Sequence, residues 1–579
     1  MCFVRARIVL SLLVIGVLYS AAACVAQQPD DFLRSFQFRA VELNQSDWIH
    51  WGDRQGTFSN WTSHSNRLIP VYSFGVSLES VSGENSAYRS DERLADMFGA
   101  VPAGTLNPAA EYFDQTDIYR VQKQAWLDGK RNIILMVFDG MDWNTTRAAS
   151  IYKNRKVLYS EGRGTGLAFQ DYQGGNSEFG FCVTSPRSGS SKVDVDSQTV
   201  NSYNERSGGY SSEFGGKTPW SNPGDASYLL GRRKALQHPY TDSASSATSL
   251  CTGMKTFNGS IGVGVDSQQF LSLAHQMQRQ GSAVGVVTSV PISHATPASF
   301  YANNVTRNDY QDLTRDLLGL NSAAHREKPL AGVDVLIGGG WGETVEDDRV
   351  KQGMNFVPGN KYVAAADLAK VDHSNGGKYV VAQRTAGVRG DQALQVGVQA
   401  ALKHKKRLFG FFGGPEGHLP YQTADGDYFP TRGKKKIEVY SKADVSENPT
   451  LAQMTDAALT VLSQNQTGFY LMVECGDVDW GLHNNNIDDA VGAALSGEAA
   501  FERITAWVEA NSNWEETCLI VTSDHGHLMC LDDPSVLTGN RMPMSDQEFA
   551  RLLEAKRIAD AEQKRLEEAK AKAAAEAKA

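Results

Sequence analysis

The chain has 579 residues, which is enough for several domains or for one large domain with insertions. Hydrophobic residues make up 41% and charged residues 21%, which is the composition of an ordinary globular protein. The formal net charge of −10 argues against a nucleic-acid partner bound through a broad basic face. If the protein acts on anions, its positive charge must be concentrated in metal ions or a few arginines.

The N-terminus predicts a signal peptide over residues 1–26. Two arginines precede an apolar run that ends near Ala23, and the small residues beyond it fit cleavage after Ala26. The run is short for a membrane span, and no later apolar stretch is long enough to cross a bilayer. We therefore expect an exported protein, periplasmic or extracellular, without a transmembrane segment. A lipid anchor at Cys24 is the alternative.

Residues 27–128 form a polar segment that contains several tryptophans, among them Trp48, Trp51 and Trp61. The sequence suggests no function for this segment. We interpret it as an N-terminal extension that packs on the main domain.

Six continuous apolar runs follow between residues 129 and 535, and each predicts a strand buried on both faces. Helix-like segments, such as residues 268–280 and 450–464, separate several of these runs. Alternating strands and helices predict an α/β domain whose parallel-rich central sheet is layered between helices. The predicted strands are residues 133–138, 283–287, 333–337, 407–412, 469–473 and 518–522.

Chemically useful residues stand where several of these strands end. They are Asp139, Thr288, Gly338, Glu474 and Asp524. Ligands of open parallel sheets bind at the carboxyl ends of the strands. Metal-binding side chains are therefore expected at this edge of the sheet.

Two regions lack this strand and helix pattern. Residues 170–230 are rich in Gly, Ser, Asn and Asp, which predicts a long surface insertion in the domain. Residues 536–579 form a charged tail, in which Ser545-Asp-Gln-Glu548 is a capping box that predicts a long exposed helix. That helix could bind a partner, although a solvated helix needs none.

The cysteines do not form a disulfide framework. Five remain after the leader, an odd number, and no Cys-x-x-Cys pair exists that would favour a cysteine-based zinc site. They are Cys182, Cys251, Cys475, Cys518 and Cys530.

One segment places a serine between an aspartate and a run of small residues, Asp242-Ser243-Ala-Ser-Ser-Ala-Thr248. Small side chains let backbone N–H groups approach an anion closely. If the run opens a helix, these groups and the helix dipole favour a phosphate, and Ser243 becomes a nucleophile at an anion site. The alternative interpretation is a buried Ala/Ser-rich helix with Asp242 as its N-cap.

With segments elsewhere in the chain, this run resembles the alkaline phosphatase family. Six segments match that family in the same order, over roughly residues 130–530. They are Arg131-Asn-Ile-Ile-Leu-Met-Val-Phe-Asp-Gly-Met141, the serine segment with Thr252-Gly-Met-Lys-Thr-Phe-Asn-Gly259, His294-Ala-Thr-Pro-Ala298 with Arg307, Asp334-Val-Leu-Ile-Gly-Gly-Gly-Trp341, Glu474-Cys-Gly-Asp-Val-Asp479 with His483, and Thr522-Ser-Asp-His-Gly-His527.

The resemblance implies an alkaline-phosphatase-like fold and metal-dependent hydrolysis of phosphate monoesters through a phosphoserine intermediate on Ser243. It also implies up to two zinc ions and one magnesium ion, small phosphorylated substrates and, as one option, a homodimer.

Individual roles follow from the same resemblance. Arg307 would grip two phosphoryl oxygens with its planar guanidinium, and Asp242 would orient it. The second zinc would activate the water that hydrolyses phosphoserine. The implied ligands are Asp139, Ser243, Asp524 and His525 for the first zinc, Asp139, Thr296 and Glu474 for magnesium, and Asp479 and His483 for the second zinc, with His294 and His527 behind these ligands.

Taken singly, some of these residues keep ordinary explanations. Asp139 could cap a turn at a strand end, and Arg307 could lie on a helix surface. His294, which is Asp in some family members, could be a surface histidine. Trp480 stands where the family often has a lysine beside the metal-binding aspartate, and this changes the local charge.

The sequence departs from the family at the second zinc. The family supplies a third ligand from a histidine near its C-terminus, and no histidine follows His527 here. We therefore expect the C-terminal part of the family domain to be missing. His527, solvent, a partner or a second protomer would have to fill the place, and a truncated or frame-shifted enzyme is equally compatible. The expected consequence is weak binding of the second zinc and slow turnover after phosphoserine formation.

Two other functions stay open. One is a phosphodiesterase of the same superfamily, and the other is a relative that binds phosphate or metal without turnover. Aryl sulfatases share the architecture, but the Cys/Ser-x-Pro-x-Arg context that they need is absent from Asp242-Ser-Ala-Ser-Ser.

Overall fold

The computed structural model describes residues 31–204, 208–233, 235–236, 238–429 and 431–576. The predicted signal peptide and Cys24 lie outside the described residues. Within the described ranges, no helix combines the length and the apolar character that crossing a membrane requires.

Strands and helices alternate along most of the described chain. The strands are β1 (Ile49–Trp51), β2 (Ile69–Phe74), β3 (Phe113–Asp114), β4 (Asn132–Phe138), β5 (Ser177–Val183), β6 (Ser191–Asp194), β7 (Thr199–Tyr203), β8 (Ala283–Pro291), β9 (Val335–Gly339), β10 (Thr344–Val345), β11 (Gly359–Asn360), β12 (Tyr379–Gln383), β13 (Arg407–Phe411), β14 (Phe469–Cys475), β15 (Thr517–Thr522) and β16 (Met529–Leu531). The α-helices are α1 (Phe32–Leu43), α2 (Asp91–Phe98), α3 (Gln115–Leu127), α4 (Trp143–Asn154), α5 (Ala168–Asp171), α6 (Ser212–Gly215), α7 (Ala226–Leu229), α8 (Ser243–Thr252), α9 (Leu273–Arg279), α10 (Ala295–Ser299), α11 (Tyr310–Leu318), α12 (Arg349–Gln352), α13 (Ala365–Val371), α14 (Gly390–His404), α15 (Lys442–Ser446), α16 (Leu451–Leu462), α17 (Asp477–His483), α18 (Ile487–Asn511) and α19 (Asp546–Glu576). Short 3-10 helices lie at Gly83–Asn85, Ala87–Arg89, His373–Asn375 and Pro534–Thr538.

A ten-stranded sheet forms the centre of the molecule, in the order β12-β13-β9-β8-β14-β4-β15-β2-β5-β3. From β12 to β15, each pair of neighbouring strands is parallel. Strand β2 is antiparallel to both of its neighbours, β15 and β5. The six strands predicted from apolar runs all lie in the parallel part, so the α/β class and the parallel-rich sheet are confirmed.

Helices cover both faces of the sheet because successive residues of a buried strand point to opposite sides. On β4, Ile134 and Met136 belong to one hydrophobic core together with residues of α16 and α18. Ile133 and Leu135 belong to the other core together with residues of α3, α8 and α9. Burial on both sides holds the sheet rigidly and so fixes the strand ends where the polar side chains emerge.

The predicted helices are present, and side-chain caps explain where they begin. Ser272 caps α9 and Thr450 caps α16, so both helices are shorter than the periodic segments that predict them. In the tail, the N–H of Glu548 donates to Ser545 Oγ at 3.3 Å, as expected for a capping box at the start of α19. Phe549 packs on Phe38 of α1, and most residues of α19 beyond this point are exposed.

The N-terminal segment does more than pack on the main domain as an extension. The structure places β2 inside the central sheet, hydrogen-bonded to β15 on one side and to β5 on the other. All six residues of β2 are buried. Pro70 and Ser73 interrupt the apolar run, which is why β2 lacks the continuous pattern of the other strands. Strand β2 of this segment thus belongs to the same sheet as the predicted strands.

Only part of residues 170–230 forms the predicted surface insertion. Strand β5 joins the central sheet between β2 and β3, and its last four residues are buried. Strands β6 and β7 form a separate antiparallel hairpin with mostly exposed or half-buried residues. The polar residues Ser177 and Glu178 at the start of β5 hide its strand character in the sequence.

Candidate metal centre

Ser243 is the first residue of α8, and Asp242 caps this helix. Asp242 Oδ1 accepts a hydrogen bond from the N–H of Ser245 at 3.0 Å, and Asp242 Oδ2 accepts one from the N–H of Gly259 at 3.0 Å. The small residues that follow allow every side chain of α8 to be buried. Ser243 therefore lies at the positive end of a ten-residue helix, as an anion site requires.

Three side chains of metal-ligand type form a cluster that meets Ser243 through His525. This cluster is called here the serine group and consists of Asp139, Asp524 and His525. His525 Nε2 lies 3.1 Å from Ser243 Oγ, 3.4 Å from Asp139 Oδ1 and 3.3 Å from Asp524 Oδ2. Asp139 follows β4 directly, and Asp524 follows β15 at an interval of one residue. Because β4 and β15 are parallel neighbours, their ends bring the two carboxylates together.

The carboxylate oxygens that face His525 have no other partner. Asp139 Oδ1 and Asp524 Oδ2 are buried without a hydrogen bond. Burial, and then the charges of neighbouring carboxylates, raise the pKa of Asp139 well above its ordinary value. Burial is also the main reason why the pKa of Asp524 is raised to about 6. Unpaired carboxylate oxygens beside an imidazole nitrogen are zinc donors, so these residues fit a divalent cation.

A set of oxygen donors adjoins the serine group. Thr296 Oγ1 donates to Asp139 Oδ2 at 3.3 Å, and Thr288 Oγ1 donates to Glu474 Oε2. Glu474 Oε1 is buried without a partner, and burial is the main cause that raises the pKa of Glu474 to about 8. Carboxylate and hydroxyl oxygens suit magnesium. Asp139 contacts both sets, which is compatible with the bridging position that the resemblance implies.

A second cluster, the histidine group, contains His64, Asp479, His483 and His527. Asp479 Oδ1 lies 2.7 Å from His527 Nε2, 3.5 Å from His483 Nε2 and 3.7 Å from His64 Nε2. Burial favours the neutral acid at Asp479, but the neighbouring histidines outweigh it and hold its pKa well below the ordinary value. One carboxylate oxygen and three imidazole nitrogens within 4.8 Å of one another fit a zinc ion.

The hydrogen bond of His483 determines which of its ring nitrogens is free. His483 Nδ1 lies 2.7 Å from the carbonyl oxygen of Thr62, which can only accept, so Nδ1 carries the proton. Nε2 is then left with its lone pair among the ligand atoms of the histidine group. A ring N–H held by a backbone carbonyl is usual for a metal-ligating histidine.

His64 joins the histidine group from the N-terminal segment, although none of the sequence motifs includes it. The resemblance implies a third histidine after His527, where the sequence has none. His64 Nε2 lies 3.0 Å from His483 Nε2. The sequence signal that could have revealed it is a histidine standing shortly before residues 69–74, which form the buried strand β2.

Backbone contacts of the segment that carries His64 explain its position. The N–H of Ser65 donates to the carbonyl of Gly526 at 2.6 Å, and the N–H of Leu528 donates to Ser65 Oγ at 3.0 Å. Asn66 Oδ1 accepts from the N–H of Thr241 at 3.0 Å. The segment is thus joined both to the loop after β15 and to the chain that leads into Ser243.

Gly140 allows the two groups to lie close together. Its φ of +74° favours glycine, and a Cβ at this position would lie 2.8 Å from His527 Nε2 and 3.1 Å from the Cα of Asp479. The N–H of Gly140 also donates to Asp524 Oδ1 at 2.9 Å. A side chain here would disturb the contact between the serine group and the histidine group.

Arg307 reaches the same region from the loop between α10 and α11. Its Nη1 donates to Asp242 Oδ2 at 3.1 Å, and 18% of its side chain is exposed. This pairing leaves other guanidinium N–H groups available for an anion beside Ser243.

His294 and Trp480 form an aromatic contact, with ring centres 5.7 Å apart. Burial, and then the charge of Arg307, lower the pKa of His294 to about 3, so the ring is neutral at pH 7. Lys435 supplies a cation at the rim of the histidine group. Its Nζ lies 3.3 Å from the carbonyl oxygen of Thr62, the same oxygen that holds His483.

The structure therefore brings predicted site residues together in two clusters and an adjoining set of oxygen donors. It adds His64 and Lys435, and it places Thr288, already noted at a strand end, beside Glu474. The roles of these residues as ligands or catalytic groups stay predictions.

Comparison with known proteins gives a family match. A family model described as alkaline phosphatase matches residues 227–577, more than half of the chain. The chain is 30% identical over 308 residues to alkaline phosphatase H of Pseudomonas aeruginosa, which covers 52% of this chain and 60% of that protein. It is 29% identical over 286 residues to alkaline phosphatase 4 of Bacillus subtilis, with 49% of each covered. The chain thus spans about half of the length of the curated relatives that it matches.

Solved structures give matches of the same kind. Alkaline phosphatase from Thermus thermophilus is 24% identical with a TM-score of 0.40, and the match covers 69% of this chain and 60% of that one. A cold-active alkaline phosphatase from Shewanella sp. is 21% identical with a TM-score of 0.40, with 68% of each chain covered.

Proposed function

The chain belongs to the alkaline phosphatase family, and on this premise we propose that it hydrolyses phosphate monoesters through a phosphoserine intermediate on Ser243, in a metal-dependent reaction. The position of Ser243 carries the proposal. Its Oγ lies 3.1 Å from His525 Nε2, at the N-terminus of α8 and beside buried, unpaired carboxylate oxygens. A hydroxyl in such a place can act as a nucleophile toward a bound phosphate.

The proposal assigns one zinc ion to the serine group, one to the histidine group, and magnesium to Asp139, Thr296 and Glu474. Bound there, the cations would lower the pKa of the Ser243 hydroxyl and polarise the phosphoryl oxygens. The unpaired oxygens of the serine group and the protonated Nδ1 of His483 support this assignment. With His64 as a third ligand beside Asp479 and His483, the second zinc site would not need a donor from a partner.

The protein groups divide the reaction into two displacements. Ser243 Oγ gives up its proton to solvent and forms a bond to phosphorus while the ester bond breaks. The leaving oxygen takes the electron pair of that bond and a proton from water, which releases the alcohol. Arg307 and the N–H groups in the first turn of α8 hold the phosphoryl oxygens, and Asp242 orients Arg307. Water then attacks the phosphoserine, which releases inorganic phosphate and restores the Ser243 hydroxyl.

Replacement of the nucleophile tests the proposal. Ser243→Ala should lower turnover of an aryl phosphate, with zinc and magnesium present, by about 10³-fold or more. Ser249→Ala is the matched control, because Ser249 lies on the same helix and its Oγ donates to the carbonyl of Ser245 at 2.9 Å. Wild-type protein quenched in acid should carry one phosphoryl group on Ser243. Full activity of Ser243→Ala would rule out the mechanism.

The same assay separates the two alternative functions. Faster turnover of an aryl phosphodiester than of the monoester would favour the phosphodiesterase. Stoichiometric phosphorylation of Ser243 without turnover would favour the relative that binds without completing the reaction.

Export, dimerisation and the extent of the catalytic domain are further parts of the proposal. The pattern in residues 1–26 supports export to the periplasm or the medium, and protein recovered there should begin after Ala26. The catalytic domain is proposed to include residues 31–128, because β2 and His64 belong to its sheet and its site. A homodimer stays a prediction that the molar mass in solution would test.

A further inference from the structure

A cluster of charged and nucleophilic side chains lies on the ribbon formed by β1 and β16. In this ribbon His50 of β1 stands opposite Cys530 of β16. Asp532 follows β16, and Arg67 lies just before β2. None of these residues belongs to the serine group or the histidine group.

Cys530 Sγ has a guanidinium beside it and lies 4.0 Å from the carbonyl oxygen of Leu528. Arg67 Nη2 donates to Cys530 Sγ at 3.2 Å, and Arg67 Nη1 donates to the carbonyl of Met529 at 2.7 Å. His50 stands opposite Cys530 across the ribbon, and its Nδ1 lies 2.7 Å from Asp532 Oδ2. The carboxylate holds the imidazole, and the guanidinium contacts the sulfur. Arg67 and His50 are both less than a tenth exposed, so their positions are fixed by packing.

Charge in the cluster favours the thiolate. Burial alone would raise the pKa of the Cys530 thiol, but the charge of Arg67 and the hydrogen bond with His50 outweigh it and lower that pKa. Burial lowers the pKa of His50, yet its hydrogen bonds to Asp532 and Cys530 raise it to about 9. Two other ionisable groups, Asp142 and Tyr210, interact with Arg67. Arg67 Nη1 donates to Asp142 Oδ2 at 3.3 Å.

Cys530 differs from the other cysteines of the described chain. Cys182, Cys251, Cys475 and Cys518 are buried, whereas Cys530 is partly exposed. Burial raises the pKa of each of those four thiols. Thiolates are the reactive form of cysteine, and solvent access is the second condition for reaction.

We propose that Cys530 is a modification site at which a thiolate, flanked by Arg67 and the His50–Asp532 pair, reacts with hydrogen peroxide. The sulfur attacks one peroxide oxygen, so that an S–O bond forms as the O–O bond breaks. The hydroxide that leaves takes a proton from the His50 imidazolium and becomes water. The sulfur is oxidised to a sulfenic acid and the peroxide is reduced. This reaction is independent of the phosphatase chemistry proposed above.

Trapping of the sulfenic acid is the first test. The full-length protein, treated with hydrogen peroxide and dimedone, should gain one adduct per chain, and peptide mass spectrometry should place it on Cys530. Cys530→Ser should abolish the adduct, whereas Cys251→Ser, a matched change at a buried cysteine, should leave it. Absence of the adduct from Cys530 in the folded wild-type protein would overturn the proposal.

The pH dependence of alkylation is the second test. An ordinary thiol with a pKa near 8.5 reacts with iodoacetamide roughly 50-fold more slowly at pH 6.5 than at pH 8.5, because its thiolate is lost. Cys530 should slow by clearly less than this factor over the same range if Arg67 and His50 hold the thiolate. His50→Gln should restore part of the ordinary dependence. A wild-type rate that follows the ordinary curve would overturn the proposal even if His50→Gln does not fold.

Discussion

The serine group and the histidine group are assembled in different ways. The serine group takes its carboxylates from the ends of β4 and β15, which are parallel neighbours in the centre of the sheet. The histidine group takes Asp479 and His483 from one short helix, α17, and His64 from a loop that precedes the antiparallel strand β2. The first is fixed by strands buried on both faces, and the second depends on the docking of an N-terminal segment.

This difference predicts that the two groups can be impaired separately. Loss of a ligand at a strand end should stop formation of phosphoserine. Loss of the docked histidine, His64, should leave the formation of phosphoserine unchanged and slow its hydrolysis.

The largest effect is expected for Asp524→Asn in the serine group. Removal of the anionic oxygen that faces His525 should weaken a cation there and slow phosphorylation of Ser243 by about 10³-fold, which corresponds to several kcal/mol of lost stabilisation. Rapid acid quench with an aryl phosphate measures this step. Asp128→Asn, at the exposed end of α3, is the control and should react normally. An unchanged phosphorylation rate in Asp524→Asn would contradict the role given to the serine group.

His64→Ala should act on the second step. We expect zinc affinity at the histidine group to fall by about 100-fold or more, since even residues behind a ligand contribute 10- to 100-fold. Bound zinc should drop by one equivalent by atomic emission, while phosphoserine still forms and then accumulates. His373→Ala, at a partly exposed histidine outside both groups, is the matched control. If His64→Ala keeps its zinc and its turnover, the third ligand lies elsewhere.

Gly140→Ala should disturb the contact between the groups. Forcing a side chain into a positive-φ conformation costs about 1–3 kcal/mol of unfolding free energy. Gly387→Ala is the control and should introduce the same backbone strain, because Gly387 has a φ of +76°. It introduces no steric clash, because no atom lies within 4 Å of the added Cβ. Gly140→Ala should lose more stability than Gly387→Ala in urea, and it alone should lose zinc. Equal behaviour of the two variants would mean that the close approach at Gly140 has no consequence.

The smallest effect is expected for Lys435→Met at the rim of the histidine group. An exposed charge contributes little, so KM for a phosphate ester should rise by about 2- to 5-fold with kcat nearly unchanged. The rise should disappear at high salt. Lys434→Met is the control, because Lys434 Nζ bonds to Asn44 Oδ1 at 2.6 Å and not to the carbonyl that holds His483. A change in kcat would indicate a role beyond attraction of the anion.

The sequence predicts the serine group well because each of its parts is local. Asp139 directly follows a continuous apolar strand, and Asp524 with His525 follows another after a single residue. Strand ends in a parallel sheet meet at one edge whatever lies between them. The residues of β4 and β15 alone therefore indicate that these side chains converge.

The histidine group is less predictable because its parts are distant. Asp479 and His483 share a helical face through their spacing, but His64 joins them only when β2 pairs with β15. No short-range spacing connects His64 with Asp479, and Pro70 weakens the strand pattern that follows it. Strand β5 is missed for a related reason, since its first residues are polar. Pairing between remote strands is the element that a single sequence specifies least.

The pairing of Ser65 with Gly526 has a consequence for the free energy of the whole chain. It closes a loop of more than 400 residues, and the entropy lost in such a closure is about 5 kcal/mol. A cation held jointly by His64 and Asp479 would offset part of that loss as a cross-link between remote parts of the polypeptide. Chelation should then release the segment around His64 first and make it the earliest site of protease cleavage.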